Sequence, residues 1–308
     1  MKITIIGAGN VGAGLAQRLI EQDFANVVLL DIIEGLPQGK ALDIQQSSHI
    51  LGFSHCIIGT NCYEDTAGSD IVIITSGVAR KPGMTRDELI KINAGIVADV
   101  VVSVGQYSPN CIIITVANPV DAMTYLALKT SGFPRHRVFG LSGVLDSARL
   151  AHFIAQELDV PVANVSCYAL GEHGQNMVVL PRLAMVNGQP ITDLLSKTDV
   201  DRLIQRTIGG GAEIVSLLKT SSAFYAPSAA IMKMVLAIAQ DKEELLPVAA
   251  YLDGEYGLSD VVIGVPVRLG KDGISEFGQL ELTPDEKALL ADSAGAVRQQ
   301  IACLPTRD

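Results

Sequence analysis

Residues 2–19, KITIIGAGNVGAGLAQRL, contain the pattern that is most informative about the fold of this chain. Its first part, Lys2–Ile6, is a short apolar run that is typical of a buried strand. Its second part reads Gly-Ala-Gly-Asn-Val-Gly, a G-x-G-x-x-G spacing. Apolar side chains then recur at every fourth residue, as on one face of a helix: Val11, Leu15 and Leu19. A strand, a glycine turn and a helix in this order predict the first βα unit of a parallel sheet.

The alternation of strand and helix continues through residues 1–141. Further apolar runs have the length and the isoleucine and valine content of buried strands: Val27–Leu30, Ile71–Thr75 and Cys111–Val116. Helical spacing of apolar side chains lies between them, at about Leu36–Ser48 and at residues 89–104. Unbroken apolar strands that alternate with helices predict a doubly wound parallel sheet, covered by helices on both faces.

The pattern changes after Leu141. Helices are expected at Val144–Leu158, Asp201–Leu218, Ser228–Ala239 and after Thr283, where Pro284 and Glu286 complete a capping box. The strand-like pieces of this half are Val165–Leu170, Met177–Val186, Val248–Leu252 and Asp260–Val267. Asn187-Gly188 has the sequence of a hairpin turn. The run Gly209–Gly211 is compatible with an interruption of its helix, and no function is assigned to it. We expect a second, mixed α/β domain over residues 142–308.

Composition excludes several classes of protein. The chain has 308 residues, with 23 Lys and Arg against 33 Asp and Glu, for a formal charge of −10. An acidic chain is a poor partner for nucleic acid or an anionic membrane. Its five cysteines form no CxxC pair and match no zinc-ligand spacing, so no metal site is expected and a reducing compartment fits best. No leader and no apolar run of about 18 residues is visible, which predicts a soluble, cytoplasmic protein.

The three glycines of the first motif suit a dinucleotide. Gly7 permits a tight turn, Gly9 lets the backbone approach a pyrophosphate, and Gly12 lets the helix pack closely on the strand. The free N–H groups at the start of that helix, around Asn10 and Val11, favour the negative charge of phosphates. A dinucleotide site is therefore predicted at this turn.

Asp31 strengthens this prediction and selects the cofactor. It ends the second predicted strand, about 20 residues beyond Gly12, where a carboxylate can accept hydrogen bonds from an adenosine ribose. A carboxylate there would repel a 2′-phosphate, so NAD is expected rather than NADP. The alternative is a plain glycine turn, with Asp31 capping the next helix.

His173 is the candidate proton-exchanging group. It follows a strand-like run and lies beside small residues, so that it can face a cleft, and an imidazole titrates at about 6.5, which suits proton exchange at neutral pH. Asp146 and Arg149 lie three residues apart at a helix start and can point the same way. A carboxylate can orient the imidazole, and an arginine can grip a substrate carboxylate. The alternatives are a satisfied core histidine and a plain helical ion pair.

A cationic loop, residues 77–86, follows the third predicted strand. It combines glycine and proline with three cations in an acidic chain: Arg80, Lys81 and Arg86. Loops at the carboxyl ends of parallel strands are where such sheets bind ligands, and a purely solvated loop would not favour like charges this close. Asn118 follows the next predicted strand in the same way, with a turn-forming role as the alternative.

These motifs together resemble the lactate/malate dehydrogenase family, and within it the lactate-dehydrogenase-like malate dehydrogenases. The resemblance runs from end to end through GAGNVG (7–12), NPVD (118–121), LDSAR (145–149), GEHG (171–174) and TPDE (283–286). It implies an N-terminal Rossmann domain that binds NAD, followed by a mixed α/β substrate domain. It also implies assembly as homodimers or homotetramers.

The resemblance implies roles residue by residue. His173 takes the place of the family's proton-exchanging histidine, Asp146 that of its partner, and Arg149 the position that clamps the carboxylate next to the reacting carbon. Arg86 matches the mobile-loop arginine that polarises the carbonyl, and Arg80 matches the loop position that selects the substrate.

Further positions are carried over in the same way. Asn118 and Ser222 match substrate contacts, and Asn118 also lies near the nicotinamide. Additional cofactor contacts are implied at Asn93, Val116 and Ala117. Gln175 departs from the family pattern, since an aspartate commonly follows the histidine-glycine pair there.

Arg80 decides between candidate substrates. A four-carbon dicarboxylate brings two negative charges, one for Arg149 and one for Arg80, whereas pyruvate would leave Arg80 unpaired in a closed site. An uncompensated buried charge costs about 3–5 kcal/mol, against about 1–3 kcal/mol for a difference of one methyl group. The predicted reaction is reversible NAD-dependent oxidation of (S)-malate to oxaloacetate. The alternatives are a lactate or other 2-hydroxyacid dehydrogenase and, more remotely, an NAD-dependent glycosidase or a non-catalytic NAD-binding protein.

Overall fold

The computed structural model describes residues 1–78 and 83–305. Its strands are β1 (Lys2–Ile6), β2 (Asn26–Leu30), β3 (Ile57–Thr60), β4 (Ile71–Ile74), β5 (Ile112–Thr115), β6 (Val138–Gly140), β7 (Val165–Ser166), β8 (Ala169–Gly171), β9 (Met177–Val179), β10 (Met185–Val186), β11 (Gln189–Pro190), β12 (Glu244–Asp253), β13 (Ser259–Gly270) and β14 (Gly273–Phe277). Its α-helices are α1 (Asn10–Glu21), α2 (Leu36–Gln46), α3 (Ser48–Leu51), α4 (Arg86–Tyr107), α5 (Val120–Ser131), α6 (Gly143–Leu158), α7 (Ile191–Leu194), α8 (Lys197–Leu218), α9 (Tyr225–Ala239) and α10 (Pro284–Ala302).

The first half forms the predicted parallel sheet. Strands β3, β2, β1, β4, β5 and β6 lie side by side in that order, and each neighbouring pair is parallel. The strand order reverses between β1 and β4, and this switch point opens a crevice at the carboxyl ends of the two strands. The predicted α/β class is confirmed, and the crevice lies beside the glycine turn.

Alternating side chains of β4 show why helices cover both faces of this sheet. Ile71 and Ile73 pack into one hydrophobic core with side chains of α1 and α9. Val72 and Ile74 pack into a second core with side chains of α4 and α5. Every residue of the strand is buried, which explains its unbroken apolar sequence.

The second half extends the same sheet. Strand β12 pairs antiparallel with β6 on one side and with β13 on the other, and β8 and β9 continue the sheet. Strand β14 also pairs with β13, which brings the sheet to 11 strands. A separate three-stranded sheet contains β7, β10 and β11. The predicted turn at Asn187-Gly188 joins β10 to β11, with positive φ angles of 51° and 81°. The mixed α/β character is confirmed, while the boundary between residues 141 and 142 stays a prediction.

One expectation about the helices is wrong. Helix α8 runs without a break through Gly209–Gly211. A glycine costs a helix about 1 kcal/mol relative to alanine, and the packing of the buried face, including Leu203 and Thr207, outweighs that cost.

The described residues contain neither a candidate membrane-spanning helix nor a candidate metal-binding cluster. No helix among them combines the length and the apolar character that a membrane span requires. All five cysteines are free. Within residues 1–78 and 83–305, no cluster of His, Cys, Asp and Glu side chains could hold a metal ion.

Candidate active site

The glycine turn has the geometry that a dinucleotide needs. Gly7 has a φ of 110°, which favours glycine, and a Cβ on Gly12 would lie 1.9 Å from the carbonyl oxygen of Gly7. A Cβ on Gly9 would meet nothing within 4 Å, so the turn is open to a ligand there. Helix α1 begins at Asn10, with no acidic residue in its first turn. The residues present therefore fit a pyrophosphate at this helix start.

Asp31 lies against the same turn. One of its carboxylate oxygens accepts a hydrogen bond from the Ala8 backbone N–H at 2.7 Å, and the other accepts from Ile33 N–H at 3.0 Å. The Lys40 ammonium donates to the carbonyl of Ala8 at 2.6 Å. Asp31 does not cap the next helix, because Gly35 is the N-cap of α2 and no side chain caps it. The carboxylate bonds the glycine turn instead.

A cleft of about 500 Å³ opens beside the switch point of the sheet. Its lining includes these residues that sequence had selected: Val11, Asn93, Val116, Ala117, Asn118, Asp146, Arg149, His173, Gln175 and Ser222. Residues from both halves of the chain therefore share one cavity.

Asn93 shapes the cleft through the backbone. Its buried side-chain amide donates to the carbonyls of Val78 and Asn118, at 3.2 and 2.7 Å, and its side-chain oxygen accepts from Val78 N–H at 2.8 Å. Both N–H donors of the amide are thus used inside the protein. Asn93 fixes the two loops that follow β4 and β5, and this makes it a positioning residue for the cofactor side of the cleft.

One carboxylate connects the acid–base and anion-binding candidates. Oδ2 of Asp146 lies 2.6 Å from Nδ1 of His173, and Oδ1 accepts a hydrogen bond from Nη1 of Arg149 at 3.1 Å. Asp146 and Arg149 both lie on α6, and His173 follows β8. The side chain of Asp146 is 2% exposed, so this carboxylate acts in a water-poor setting. The three residues that sequence brought together are therefore in direct contact.

The environment of His173 alters its proton affinity. Burial is the largest single influence and lowers its pKa, but the charge and the hydrogen bond of Asp146 act in the opposite direction. Asp121 adds to the rise and Arg149 opposes it, and the pKa of His173 ends above the ordinary 6.5. With Nδ1 bound to Asp146, Nε2 is the ring nitrogen left for a substrate.

Asp121 is a site residue that the sequence reasoning missed. Its Oδ2 accepts the backbone N–H of His173 at 2.8 Å, and its Oδ1 is buried without a hydrogen-bond partner among the described residues. Burial raises the pKa of Asp121 to about 7, against the opposing pull of its hydrogen bond to His173. The NPVD motif could have indicated this residue, because a buried carboxylate in the first turn of a helix needs a hydrogen-bond partner.

Arg86 lies away from the cleft lining. It is the first residue of α4, which begins with a capping box between Thr85 and Glu88. Its Nη2 donates to Oε1 of Glu172 at 2.5 Å, and it is not among the described side chains that line the cavity. The sequence reasoning assigned no contact to Glu172, which is buried at 1% exposure. The position of Glu172 directly before His173 in the GEHG motif could have indicated that it belongs near the site.

Two of the three glycines in the run Gly209–Gly211 of α8 lie against Arg149. A Cβ on Gly210 would lie 3.3 Å from Cδ of Arg149, and one on Gly211 would lie 3.8 Å from Nη2. A Cβ on Gly209 would meet nothing within 4 Å. Gly210 and Gly211 therefore leave room for the Arg149 side chain, which gives this glycine run a function that sequence did not suggest.

Of the two remaining substrate-binding candidates, Ser222 and Arg80, only Ser222 lies within the described residues. Ser222 is exposed and lines the cleft near α9. Arg80, with Lys81, lies outside the described residues, so its predicted contact with substrate stays a prediction.

The fold and the cleft define a class. A parallel sheet with a glycine turn before its first helix, beside a histidine bonded to a buried carboxylate, is the arrangement expected of a dinucleotide-dependent enzyme.

Comparisons with known proteins narrow this class. The model for the lactate/malate dehydrogenase NAD binding domain matches residues 1–140, and the model for the alpha/beta C-terminal domain of the same family matches residues 143–306. A malate dehydrogenase of Dehalococcoides mccartyi is 58% identical over 303 residues, which are 98% of this chain and 99% of that protein. One of Methanosarcina mazei is 49% identical over 304 residues, 99% of each chain.

Solved structures agree with these relatives. The malate dehydrogenase of Salinibacter ruber has a TM-score of 0.94 at 48% identity and covers 98% of this chain and 97% of its own. A lactate dehydrogenase of Cryptosporidium parvum, solved with lactic acid and nicotinamide adenine dinucleotide, has a TM-score of 0.95 at 38% identity and covers 98% and 96%. The chain belongs to the lactate/malate dehydrogenase family, and its first domain is an NAD-binding domain.

Proposed function

We propose that the chain catalyses the reversible NAD-dependent oxidation of (S)-malate to oxaloacetate. Full-length relatives named malate dehydrogenase, at 49–58% identity, support this activity. The observation that carries it is the Asp146 carboxylate shared between His173 and Arg149, at 2.6 and 3.1 Å. An imidazole that can accept a proton and a guanidinium that can bind an anion therefore contact the same carboxylate, which supports the proposal.

His173 moves the proton in this proposal. In the oxidation of malate, Nε2 of the neutral imidazole accepts the hydroxyl proton, and Asp146 stabilises the imidazolium that forms. In the reverse direction the imidazolium returns the proton to the carbonyl oxygen. Bound NAD supplies the acceptor for the hydride that leaves the same carbon.

Arg149 clamps the carboxylate next to the reacting carbon. Its side chain is 14% exposed, and its Nε has no hydrogen-bond partner among the described residues. A buried guanidinium with an unused N–H is costly unless a ligand completes it. A carboxylate can do so through two parallel hydrogen bonds.

The cofactor side follows from the glycine turn. Gly7, Gly9 and Gly12 shape the turn, and N–H groups around Asn10 and Val11 face the pyrophosphate position. Asp31 bonds the ribose, and Asn93 holds the backbone of the loops that carry Val116, Ala117 and Asn118.

The distal half of the substrate meets the cationic loop. Arg80 pairs with the second carboxylate of the diacid, which excludes pyruvate by leaving a charge unmatched. Arg86 polarises the carbonyl, and Asn118 and Ser222 complete the pocket. Charge pairing therefore sets the preference for malate over lactate.

We also propose a homodimer or homotetramer that works in the reducing cytoplasm, within the tricarboxylic acid cycle. Large apolar side chains on the surface support a subunit interface, since Ile50 is 82% exposed, Leu217 73% and Tyr225 72%. Light scattering of the purified protein tests the assembly: a mass of two or four chains is expected, and a monomer at micromolar concentration contradicts it.

The activity is tested by NADH oxidation with oxaloacetate and with pyruvate at matched concentrations. We expect kcat/KM to favour oxaloacetate by about 10²-fold or more. Equal or better use of pyruvate would favour a lactate dehydrogenase. NADH binding without any turnover would favour a non-catalytic protein.

A further inference from the structure

The carboxylate of Glu172 is buried and fully engaged. Its Oε1 accepts hydrogen bonds from Nη2 of Arg86, at 2.5 Å, and from Nε2 of Gln300 on α10. Its Oε2 accepts from the backbone N–H of Asn176 at 3.1 Å and from the side-chain amide of Asn176 at 2.5 Å. All of these partners are donors, so both carboxylate oxygens of Glu172 act as hydrogen-bond acceptors one residue before His173.

Arg86 is much more exposed to solvent than Glu172. The side chain of Arg86 is 54% exposed, whereas that of Glu172 is 1% exposed. The capping box at Thr85 and Glu88 fixes the backbone of Arg86 at the start of α4. The guanidinium therefore has freedom to move that the carboxylate lacks.

Glu172 competes with a substrate for the same guanidinium. A hydrogen-bonded ion pair at 2.5 Å occupies one donor nitrogen of Arg86, Nη2, and partly offsets its charge. The charge that grows on a carbonyl oxygen during reduction needs a cation that is free to meet it. Nη2 of Arg86 cannot bond a substrate oxygen while it bonds Glu172, and in this structure it bonds Glu172.

We propose that Glu172 is a positioning residue that holds Arg86 outside the cleft until a substrate oxygen replaces the carboxylate. The inference rests on the proposed function, and it adds a residue that sets substrate affinity from outside the pocket. The apparent affinity for substrate is the intrinsic affinity multiplied by the fraction of enzyme in which Arg86 is released. Weakening the pair raises that fraction and tightens substrate binding.

Kinetics of Glu172→Gln test this exchange. The amide keeps the size of the side chain but removes the charge and replaces one acceptor oxygen with a donor. We expect the KM for oxaloacetate to fall about three- to tenfold, with kcat unchanged within about twofold, because only the free enzyme holds the pair. A KM that is unchanged or higher overturns the inference.

Glu286→Gln is the matched control. Glu286 also pairs with an arginine, Arg182, at 2.8 Å, and lies on the same helix as Gln300 but outside the cleft lining. Glutamine preserves the capping box at Thr283, so folding is retained. Its KM should match that of the wild type. Melting temperature and NADH fluorescence check that both variants fold and bind cofactor.

A crystal structure of the wild-type chain provides a second test that needs no variant. NADH and (S)-malate are both reduced and cannot react with one another, so they trap a dead-end complex. We expect Nη2 of Arg86 to lie within hydrogen-bond distance of the malate hydroxyl and beyond about 4 Å from Glu172. An intact Arg86–Glu172 pair in that complex overturns the inference. Absence of oxaloacetate turnover in the wild type would instead remove the proposed function itself.

Discussion

Nδ1 of His173 lies 2.6 Å from Oδ2 of Asp146, and both side chains are largely withdrawn from water. The other oxygen of this carboxylate bonds Arg149. A single buried carboxylate therefore controls both the proton affinity of the imidazole and the position of the anion-binding guanidinium. Changes at Asp146 are expected to affect proton transfer and substrate binding together.

The pH dependence of the two reaction directions follows from His173. Burial lowers its pKa, Asp146 raises it more, and the net value lies above 6.5. Reduction of oxaloacetate needs the imidazolium, so kcat/KM should stay high below this pKa and fall tenfold per pH unit above it. Oxidation of malate needs the neutral ring and should rise over the same range. Profiles with a midpoint below 6.5 in the reduction direction would contradict this assignment.

Asp146→Asn should move that midpoint downward. Without the carboxylate, burial is opposed only weakly, and the pKa of His173 falls. The reduction profile should shift to lower pH by about one unit or more, and kcat at neutral pH should fall about 10²-fold or more. Asp201→Asn, at an exposed ion pair with Lys197, is the control and should leave the profile in place. An unshifted midpoint in the Asp146 variant would sink the role given to this residue.

Asp121→Asn should change stability in a pH-dependent way. Burial raises the pKa of Asp121 to about 7, so the folded chain keeps this proton to higher pH than the unfolded chain, whose carboxyl titrates near 3.8. Between these values the folded state binds more protons, and the free energy of unfolding falls as the pH rises. Asparagine does not titrate, so the variant does not lose stability in this way as the pH rises. The melting temperature of the variant minus that of the wild type should therefore be larger at about pH 8 than at about pH 5. A difference in melting temperature that does not depend on pH would contradict the raised pKa of Asp121.

Gly210→Ala tests the space around Arg149. The added Cβ would lie 3.3 Å from Cδ of Arg149, so the Arg149 side chain must give by a few tenths of an ångström. The KM for oxaloacetate should rise about tenfold, since a displaced clamp loses part of a charge-assisted hydrogen bond. Gly209→Ala is the matched control, because its Cβ meets nothing within 4 Å. It should gain up to about 1 kcal/mol of helix stability without a change in KM. Equal KM values in the two variants would refute the contact.

Arg80→Gln tests substrate selection. The neutral side chain cannot pair with the distal carboxylate, so kcat/KM for oxaloacetate should fall about 10²- to 10⁴-fold. Activity with pyruvate should rise, because no unmatched charge remains in the closed site. Steady-state kinetics with both acids provide the measurement. A preserved preference for oxaloacetate would show that another group reads the second carboxylate.

Sequence alone was sufficient for the parallel sheet and its glycine turn. Unbroken strands such as Ile71–Ile74 and the spacing from Gly7 to Gly12 are dictated by local physics, namely burial on two faces and backbone clearance. The contact of Asp146 with His173 spans 27 residues of chain. The residue types alone left a core histidine and a plain ion pair open, and the family resemblance implied the contact.

The remaining features depend on tertiary proximity. Glu172 meets Arg86 across 86 residues and Gln300 across 128 residues, and no local pattern encodes such separations. The glycines of α8 suggested a helix break because helix propensity takes no account of a neighbouring side chain such as Arg149. The continuation of the sheet through β12 was likewise hidden, because it depends on the edge of β6 finding a partner late in the chain.

If His173 exchanges the substrate proton, the variant His173→Asn should lose turnover and keep its affinity for cofactor. The amide of asparagine can still donate a hydrogen bond to Asp146 but cannot move a proton at neutral pH. NADH oxidation with saturating oxaloacetate should fall about 10²- to 10⁴-fold in kcat, while NADH fluorescence titration gives a dissociation constant within about threefold of the wild type. Turnover within tenfold of the wild type, with cofactor binding intact, would contradict the account.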